Sequence, residues 1–224
     1  MECYQGASSG SSTWPRWFHR DFHQKAWQII KQDIKAGIMK LYVGDGRGFS
    51  KLNKALITLI PKRSDAEVVG DYRPLSLTHS FAKLFAKALA CRARRRMPDI
   101  VGANQSAFIS GRCLHDNFLL VRQIARKIHA RKIVGVFPEL DITRASDSLG
   151  WPFLFQVLRH KGFSKRWIGW IAILLRTTST KVVVNGCPGE SFAHACGLRQ
   201  GDPVLPLLFV IAMEVLSAMF RKGA

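Results

Sequence analysis

The chain is short of negative charge. Fifteen Asp and Glu stand against 34 Lys and Arg, a formal net charge of +19 over 224 residues. Most cations therefore lack an acidic partner within the chain. That excess favours a polyanion, because each cation placed on a phosphate releases condensed counterions. An anionic membrane surface would attract the same charge. Cysteine is sparse and unpatterned: Cys3, Cys91, Cys113, Cys187 and Cys196 are odd in number, with no Cys-x-x-Cys spacing. This excludes a zinc ribbon or a disulfide framework and reads as reduced thiols of an intracellular protein. His19 and His23 are four apart on a predicted helix, but no third ligand lies nearby, so they read as a solvated pair. No basic region followed by an apolar core opens the chain, so no signal peptide is expected. The longest apolar run, residues 204–220, contains Glu214 and has Pro203 and Pro206 at its start. A buried helix is expected there, with no membrane partner. With 47% hydrophobic and 22% charged residues, wholesale disorder is excluded.

What is present reads as a mixture of helices and short strands. Residues 1–16, rich in Gly and Ser, read as disordered. Phe18, Phe22, Ala26, Ile29, Ile30, Ile34 and Ile38 recur at helical spacing, with Lys25, Lys31 and Lys35 on other faces. Gly44, Gly46 and Gly48 mark a loop; no strand precedes them, so they are no nucleotide-binding fingerprint. Residues 55–60 predict a strand that delivers Lys62 and Arg63 into a turn, and residues 71–77 a second that carries Arg73. These cations read either as phosphate contacts or as a solvated turn and a structural ion pair. Residues 80–97 predict a helix with Phe81, Leu84, Phe85, Ala88 and Leu89 inward. Its six cations, Lys83, Lys87, Arg92, Arg94, Arg95 and Arg96, repel one another and suit a polyanion. Residues 104–112 are polar and turn-forming, ahead of a helix over about 114–131.

Residues 133–142 predict a buried strand ending at Asp141, although Pro138 has no N–H to give a ladder. Asp147 and Ser148 read as caps for a helix over 151–160, and a second helix covers 165–175 with Trp167 and Trp170 as core or interface aromatics. Residues 182–186 and 190–196 predict a hairpin around Pro188-Gly189. It leads to Gly197-Leu198-Arg199-Gln200-Gly201-Asp202-Pro203, ahead of the apolar run. That heptapeptide reads equally as a tight turn, with Asp202 as helix N-cap and Pro203 at the first helical position, or as a backbone cradle for a bound partner. No internal repeat is visible.

Leu52-Asn53-x-Ala55, Ile57-Thr58-Leu59-Ile60-Pro61-Lys62, Asp71-Tyr72-Arg73-Pro74 and Asn104-Gln105-Ser106-Ala107-Phe108-Ile109 are followed by Gly111-Arg112 and Asp116-Asn117. Leu140-Asp141-Ile142, Asn185-Gly186-x-Pro188-Gly189 and the heptapeptide complete the series. In this order, from about Trp17 to the end, they resemble the reverse transcriptases of plant LINE-type, non-LTR retrotransposons. The resemblance implies an α+β right-hand polymerase fold: a helical extension over 17–50, fingers over 51–132, and the first part of the palm over 133–224. It implies Asp141 as the catalytic carboxylate, binding Mg²⁺ in a two-metal site with the main-chain carbonyl of Ile142. Lys62 and Arg73 would hold the incoming deoxynucleoside triphosphate, with Gln200 and Gly201 against the nucleotide and templating base. Ser146 stands where the family has a Phe that blocks the ribose 2′-hydroxyl. Gln105 and Arg112 would contact template RNA, and Arg63 and the six-cation helix would support that groove. The partners implied are an RNA template, a DNA primer and deoxynucleoside triphosphates, in nucleus or cytoplasm.

Departures from the family pattern carry their own expectations. The aromatic-Ala-Asp-Asp motif that supplies the remaining palm carboxylates, and the thumb, should follow the last helix, and the chain stops at Ala224 before them. The two-metal site is therefore expected to be incomplete, and this chain alone is expected not to carry out templated synthesis. Pro138, Glu139, Cys196 and Leu205 replace a strand residue, a Lys, an Arg and a Ser of the usual pattern. The alternative reading is a non-catalytic RNA- or DNA-binding remnant of such an element. A membrane-surface protein would leave the ordered motifs unexplained.

Overall fold

The β-branched run after Asn53 forms strand β1 (Lys54–Pro61), the centre of a mixed sheet in a computed structural model that describes residues 25–134, 140–142 and 145–223. On one side β1 pairs antiparallel with β2 (Tyr72–Thr78), from Ala55↔Thr78 to Pro61↔Tyr72. On the other it pairs in parallel with β3 (Ser179–Val184), which pairs antiparallel with β4 (Cys187–Ala193), giving the order β2-β1-β3-β4. The sheet thus brings together stretches a hundred residues apart in sequence. The β3–β4 turn is Asn185-Gly186, with φ of 50° and 79°, not Pro188-Gly189. Asn-Gly tolerates the left-handed conformations of a two-residue hairpin turn, whereas Pro188 lies inside β4 opposite Val183, beside a register irregularity.

Helices make up the rest of the described secondary structure, apart from one short 3-10 turn. They are α1 (Trp27–Tyr42), α2 (Phe49–Leu52), α3 (Ser80–Arg94), α4 (Met97–Ile100), α5 (Leu114–Ala130), α6 (Trp151–His160), α7 (Lys165–Arg176) and α8 (Leu205–Gly223). The core is the apolar face of α8, with Leu207, Leu208 and Ile211 fully buried, packed against Leu154 and Leu158 of α6, Ile171 and Leu174 of α7, and α3. The buried stripe of α3 is Ala82, Phe85, Ala86, Leu89, Ala90 and Ala93. Leu84 and Ala88, expected inward, are exposed, because the alanines let neighbouring helices approach the backbone on their own face. Residues 204–212 of the apolar run are largely buried, and no described helix is long and apolar enough to cross a membrane.

Other expectations need correction. Ile29 on α1 is 81% exposed, and only Leu41 of that helix is buried. Phe18, Phe22, His19, His23 and the Gly/Ser-rich start lie outside the described residues. Helix α5 forms as predicted, yet none of its residues is buried, and Phe118, Leu119 and Val121 face outward. The N-cap of α6 is Gly150, with Pro152 in the first turn; neither Asp147 nor Ser148 caps it. The Ser148 hydroxyl instead donates to the Ala145 carbonyl at 3.4 Å. Of the strand expected over 133–142, residues 135–139 lie outside the described residues, and Ile133, Val134 and Leu140, Asp141 and Ile142 are not strand. None of them joins the described four-stranded sheet, and an unpaired strand leaves its backbone groups without partners.

Candidate nucleotide and template site

The loop between β4 and α8 is held from inside by a buried ion pair. The Arg199 guanidinium lies 3.0 Å from the Asp202 carboxylate, and both side chains are 3% exposed. It also donates to the Asn53 main-chain carbonyl at 3.2 Å and to the Asn53 side-chain oxygen at 2.9 Å. The Asn53 amide in turn donates to the Leu174 carbonyl at 2.6 Å and to the Thr177 hydroxyl at 2.9 Å. The start of β1, the end of α7 and the loop are thereby one network, in which every buried charge has a partner. Burial pushes the Asp202 carboxyl above the ordinary carboxylate range, against the pull of Arg199 and of Lys83. Desolvation and then the charge of Arg199 lower the pKa of His194, whose ring meets the Thr180 hydroxyl at 2.6 Å. Asp202 therefore spends its side chain on Arg199 rather than serving as an N-cap.

The same loop is strapped to the segment that follows Asp141. The Gly197 N–H donates to the Leu149 carbonyl and the Leu198 N–H to the Ser146 carbonyl, both at 2.8 Å. The Trp151 indole N–H donates to the Gly197 carbonyl at 2.8 Å. Gly197 has φ +74°, and a Cβ there would stand 2.3 Å from the Asp147 carbonyl oxygen, so glycine is required for both backbone sign and closeness. Beyond the strap, Gln200 and Gly201 are exposed, and Gly201 lies against β2 at the Ser76 carbonyl. One cleft of about 400 Å³ is lined by Ser146, Gln200, Gly201 and Asp202, by Phe108, and by Leu205, Pro206 and Phe209 of α8.

The remaining predicted residues fall into four groups. Lys62 and Arg73 are exposed near the far end of the β1–β2 hairpin, where Pro61 faces Tyr72 and Ile60 faces Arg73. The Lys62 ammonium donates to the Gly70 carbonyl at 2.7 Å, and Arg63 pairs with Asp71 at 2.9 Å, whose carboxyl that contact lowers; Arg73 has no described partner. Of the six cations after Ser80, Arg92 sits over the Trp170 ring at 5.2 Å and Arg96 over Phe163 at 5.8 Å, with Arg96 also donating to the Gly162 carbonyl. Lys83, Lys87, Arg94 and Arg95 are exposed and form no ion pair with a described residue. Arg112 donates to the carbonyls of Gly102 at 2.6 Å, Gln105 at 2.7 Å and Val101 at 3.3 Å, which makes it the organiser of its loop; the Gln105 side chain accepts from the Ala107 N–H. Asp141 and Ile142 are exposed, and the Ile142 carbonyl accepts from the Ala145 N–H at 3.2 Å.

The family model for reverse transcriptase (RNA-dependent DNA polymerase) matches residues 60–224, and so takes in β1's end, β2, the cleft and the helical core. The chain belongs to the reverse transcriptase family. It is a reverse transcriptase domain of the non-LTR retrotransposon kind. It is 24% identical over 202 residues to the Transposon TX1 uncharacterized 149 kDa protein of Xenopus laevis, covering 90% of this chain and 15% of that one. It is 26% identical over 192 residues to the Pol polyprotein from type-2 retrotransposable element R2DM of Drosophila melanogaster, covering 86% of this chain and 18% of the relative. The corresponding type-1 element R2 polyprotein of Nasonia vitripennis is 27% identical over 192 residues, covering 85% and 18%. The chain thus spans less than a fifth of the length of these relatives.

Reverse transcriptases generally use divalent metal ions. Among the described residues no three His, Cys, Asp or Glu side chains gather where an ion could be held. One carboxylate does not fill the octahedral oxygen shell that Mg²⁺ demands. The described residues therefore do not by themselves fit a two-metal centre. Sequence reasoning missed Asn53, Arg199 and Asp202 as a structural network, and it missed Phe108. The available signal for the network was an Arg and an Asp three apart among buried apolar neighbours, where a lone charge would be costly.

Proposed function

We propose that this reverse transcriptase domain binds an RNA template with a DNA primer and an incoming deoxynucleoside triphosphate for RNA-directed DNA synthesis, in a plant LINE-type element. On this reading residues 51–132 are the fingers of a right-hand polymerase, residues 133–224 the first part of its palm, and residues 17–50 a helical extension. The observation that carries it is the convergence of Ser146, Gln200 and Gly201, drawn from two distant stretches, on one cleft beside β2. Gln200 is exposed at the cleft with no partner among the described residues, so its amide is able to read a base or sugar edge, while the buried Arg199–Asp202 pair fixes the loop. Arg73 and Lys62 occupy the outer part of the hairpin whose inner part meets Gly201, so a triphosphate lying along β2 would have its base end at the cleft and its charge among the cations. Asp141 is exposed, with no side-chain partner among the described residues, which suits a carboxylate reserved for the reaction. The exposed cations Lys83, Lys87, Arg94 and Arg95, which form no ion pair with a described residue, suit the template backbone.

The test is primer extension on an RNA template by the polypeptide translated from the whole reading frame. Extension lost in Asp141→Asn, with RNA affinity unchanged, supports the proposal. Extension that survives Asp141→Asn overturns it.

A further inference from the structure

We infer that Phe108 is a stacking platform for a nucleobase entering the cleft, an inference that rests on the reading of that cleft as a nucleic-acid site. Phe108 has φ 62°, a left-handed conformation that a bulky aromatic residue rarely adopts. The residue is 61% exposed, although Ser106 and Ile109 on either side of it are buried. The surroundings enforce this. Arg112 ties the carbonyls of Gly102 and Gln105, the Gln105 side chain takes the Ala107 N–H at 3.0 Å, and the Ser106 hydroxyl donates to Asn117 at 3.1 Å. Backbone strain and an unburied ring both oppose stability, and they persist where the structure around them over-determines the conformation, which is a mark of functional positions.

What the ring faces identifies the ligand class. Phe108 lines the cleft together with the polar Gln200, Asp202 and Ser146, with Gly201, and with the apolar Leu205, Pro206 and Phe209. A flat, apolar-faced group with a polar rim fits this lining: its face on the phenyl ring, its edge toward the Gln200 amide and the Ser146 hydroxyl. A nucleobase has that form, and every base offers a π face, so the platform is indifferent to sequence. Two sources supply such a base, a template residue or an incoming nucleotide.

The experiment measures binding of the 224-residue chain to two probes: a single-stranded RNA of about 12 nucleotides, intact or with one abasic position moved along it, and a deoxynucleoside triphosphate. Phe108→Ala, Phe108→Leu and Phe108→Gly are compared with Phe108→Tyr; glycine accepts the left-handed backbone, so that variant keeps the fold. Stacking predicts a loss of between about fivefold and about a hundredfold for Ala, Leu and Gly, with Tyr close to wild type. For a template base, one abasic position weakens wild-type binding and no longer matters in Phe108→Ala. For an incoming base, the loss appears with the triphosphate instead. If the wild-type chain binds RNA and triphosphate and the Ala, Leu and Gly variants do so equally well, the inference is overturned while the proposed function stands. If the wild-type chain binds neither, both fall together.

Discussion

Substituting Gly197 by Ala should damage this domain more than any other glycine-to-alanine change in a described turn. The residue has φ +74°, and holding a non-glycine residue in the left-handed region costs about 1–2 kcal/mol. The new methyl would stand 2.3 Å from the Asp147 carbonyl oxygen, 0.7 Å inside the 3.0 Å that side-chain carbons do not cross. That obstacle is backbone, so no rotamer change relieves it; residues 146–149 must move away. The hydrogen bonds from Gly197 and Leu198 to Leu149 and Ser146 stretch with that movement, each worth about 0.5–1.5 kcal/mol net. The combined loss is about 2–5 kcal/mol of unfolding free energy. Gly186→Ala is the control, because Gly186 has nearly the same φ, +79°, with nothing within 4 Å of its added methyl, so it isolates the backbone penalty. Urea unfolding of both variants gives the comparison. If Gly197→Ala is no more destabilising than Gly186→Ala within about 0.5 kcal/mol, the strap between the two loops does not hold the site as described.

Three further outcomes follow from the same geometry. Asp202→Asn leaves the Arg199 charge buried without its counterion and should cost about 3–5 kcal/mol in urea unfolding, while Arg199→Met with Asp202→Leu should cost much less; equal losses would contradict the network. Burial raises the Glu214 carboxyl, but the Arg221 contact, the Gly102 N–H at 3.1 Å and the charge of Lys161 outweigh it and hold it below its ordinary value near 4.5. A lowered folded value means that this group's stabilisation is present above 4.5 and lost as pH falls through the folded value. Glu214→Gln should therefore flatten the acid limb of a stability-versus-pH curve, and an unchanged limb would refute the assignment. Ser146→Phe should raise discrimination against ribonucleotides by about tenfold or more in the polypeptide from the whole reading frame, measured as the ratio of kcat/KM values; an unchanged ratio would remove Ser146 from the sugar side of the cleft.

Much of the architecture was legible because its signals are local. The runs that became β1, β2, α6 and α7 are periodic or β-branched and bounded by turn residues, and they fall within a residue or two of the expected limits. Where small residues do the packing, legibility fails: the buried face of α3 is set by four alanines whose contacts depend on α7 and α8, and pattern reading favoured the larger Leu84. Asn185-Gly186 outcompeted Pro188-Gly189 because both of its residues accept positive φ. For the site, the distinctive Gln200-Gly201 and Ser146 stretches could be read as parts of one cleft. The Arg199–Asp202–Asn53 network could not, because the partners are 146 residues apart and only the fold makes their burial a constraint. For the same reason Arg112, expected from the resemblance to contact template RNA, was not legible as the organiser of its own loop.

Photolabelling the chain with an azido-deoxynucleoside triphosphate tests the account most directly, because it asks where the nucleotide lies. Label is expected in the peptides that carry Lys62 to Arg73 and Gln200 to Gly201, displaced by unlabelled triphosphate and lost in Arg73→Glu. Label spread over the basic residues of α3, undiminished by competitor or by Arg73→Glu, would contradict it.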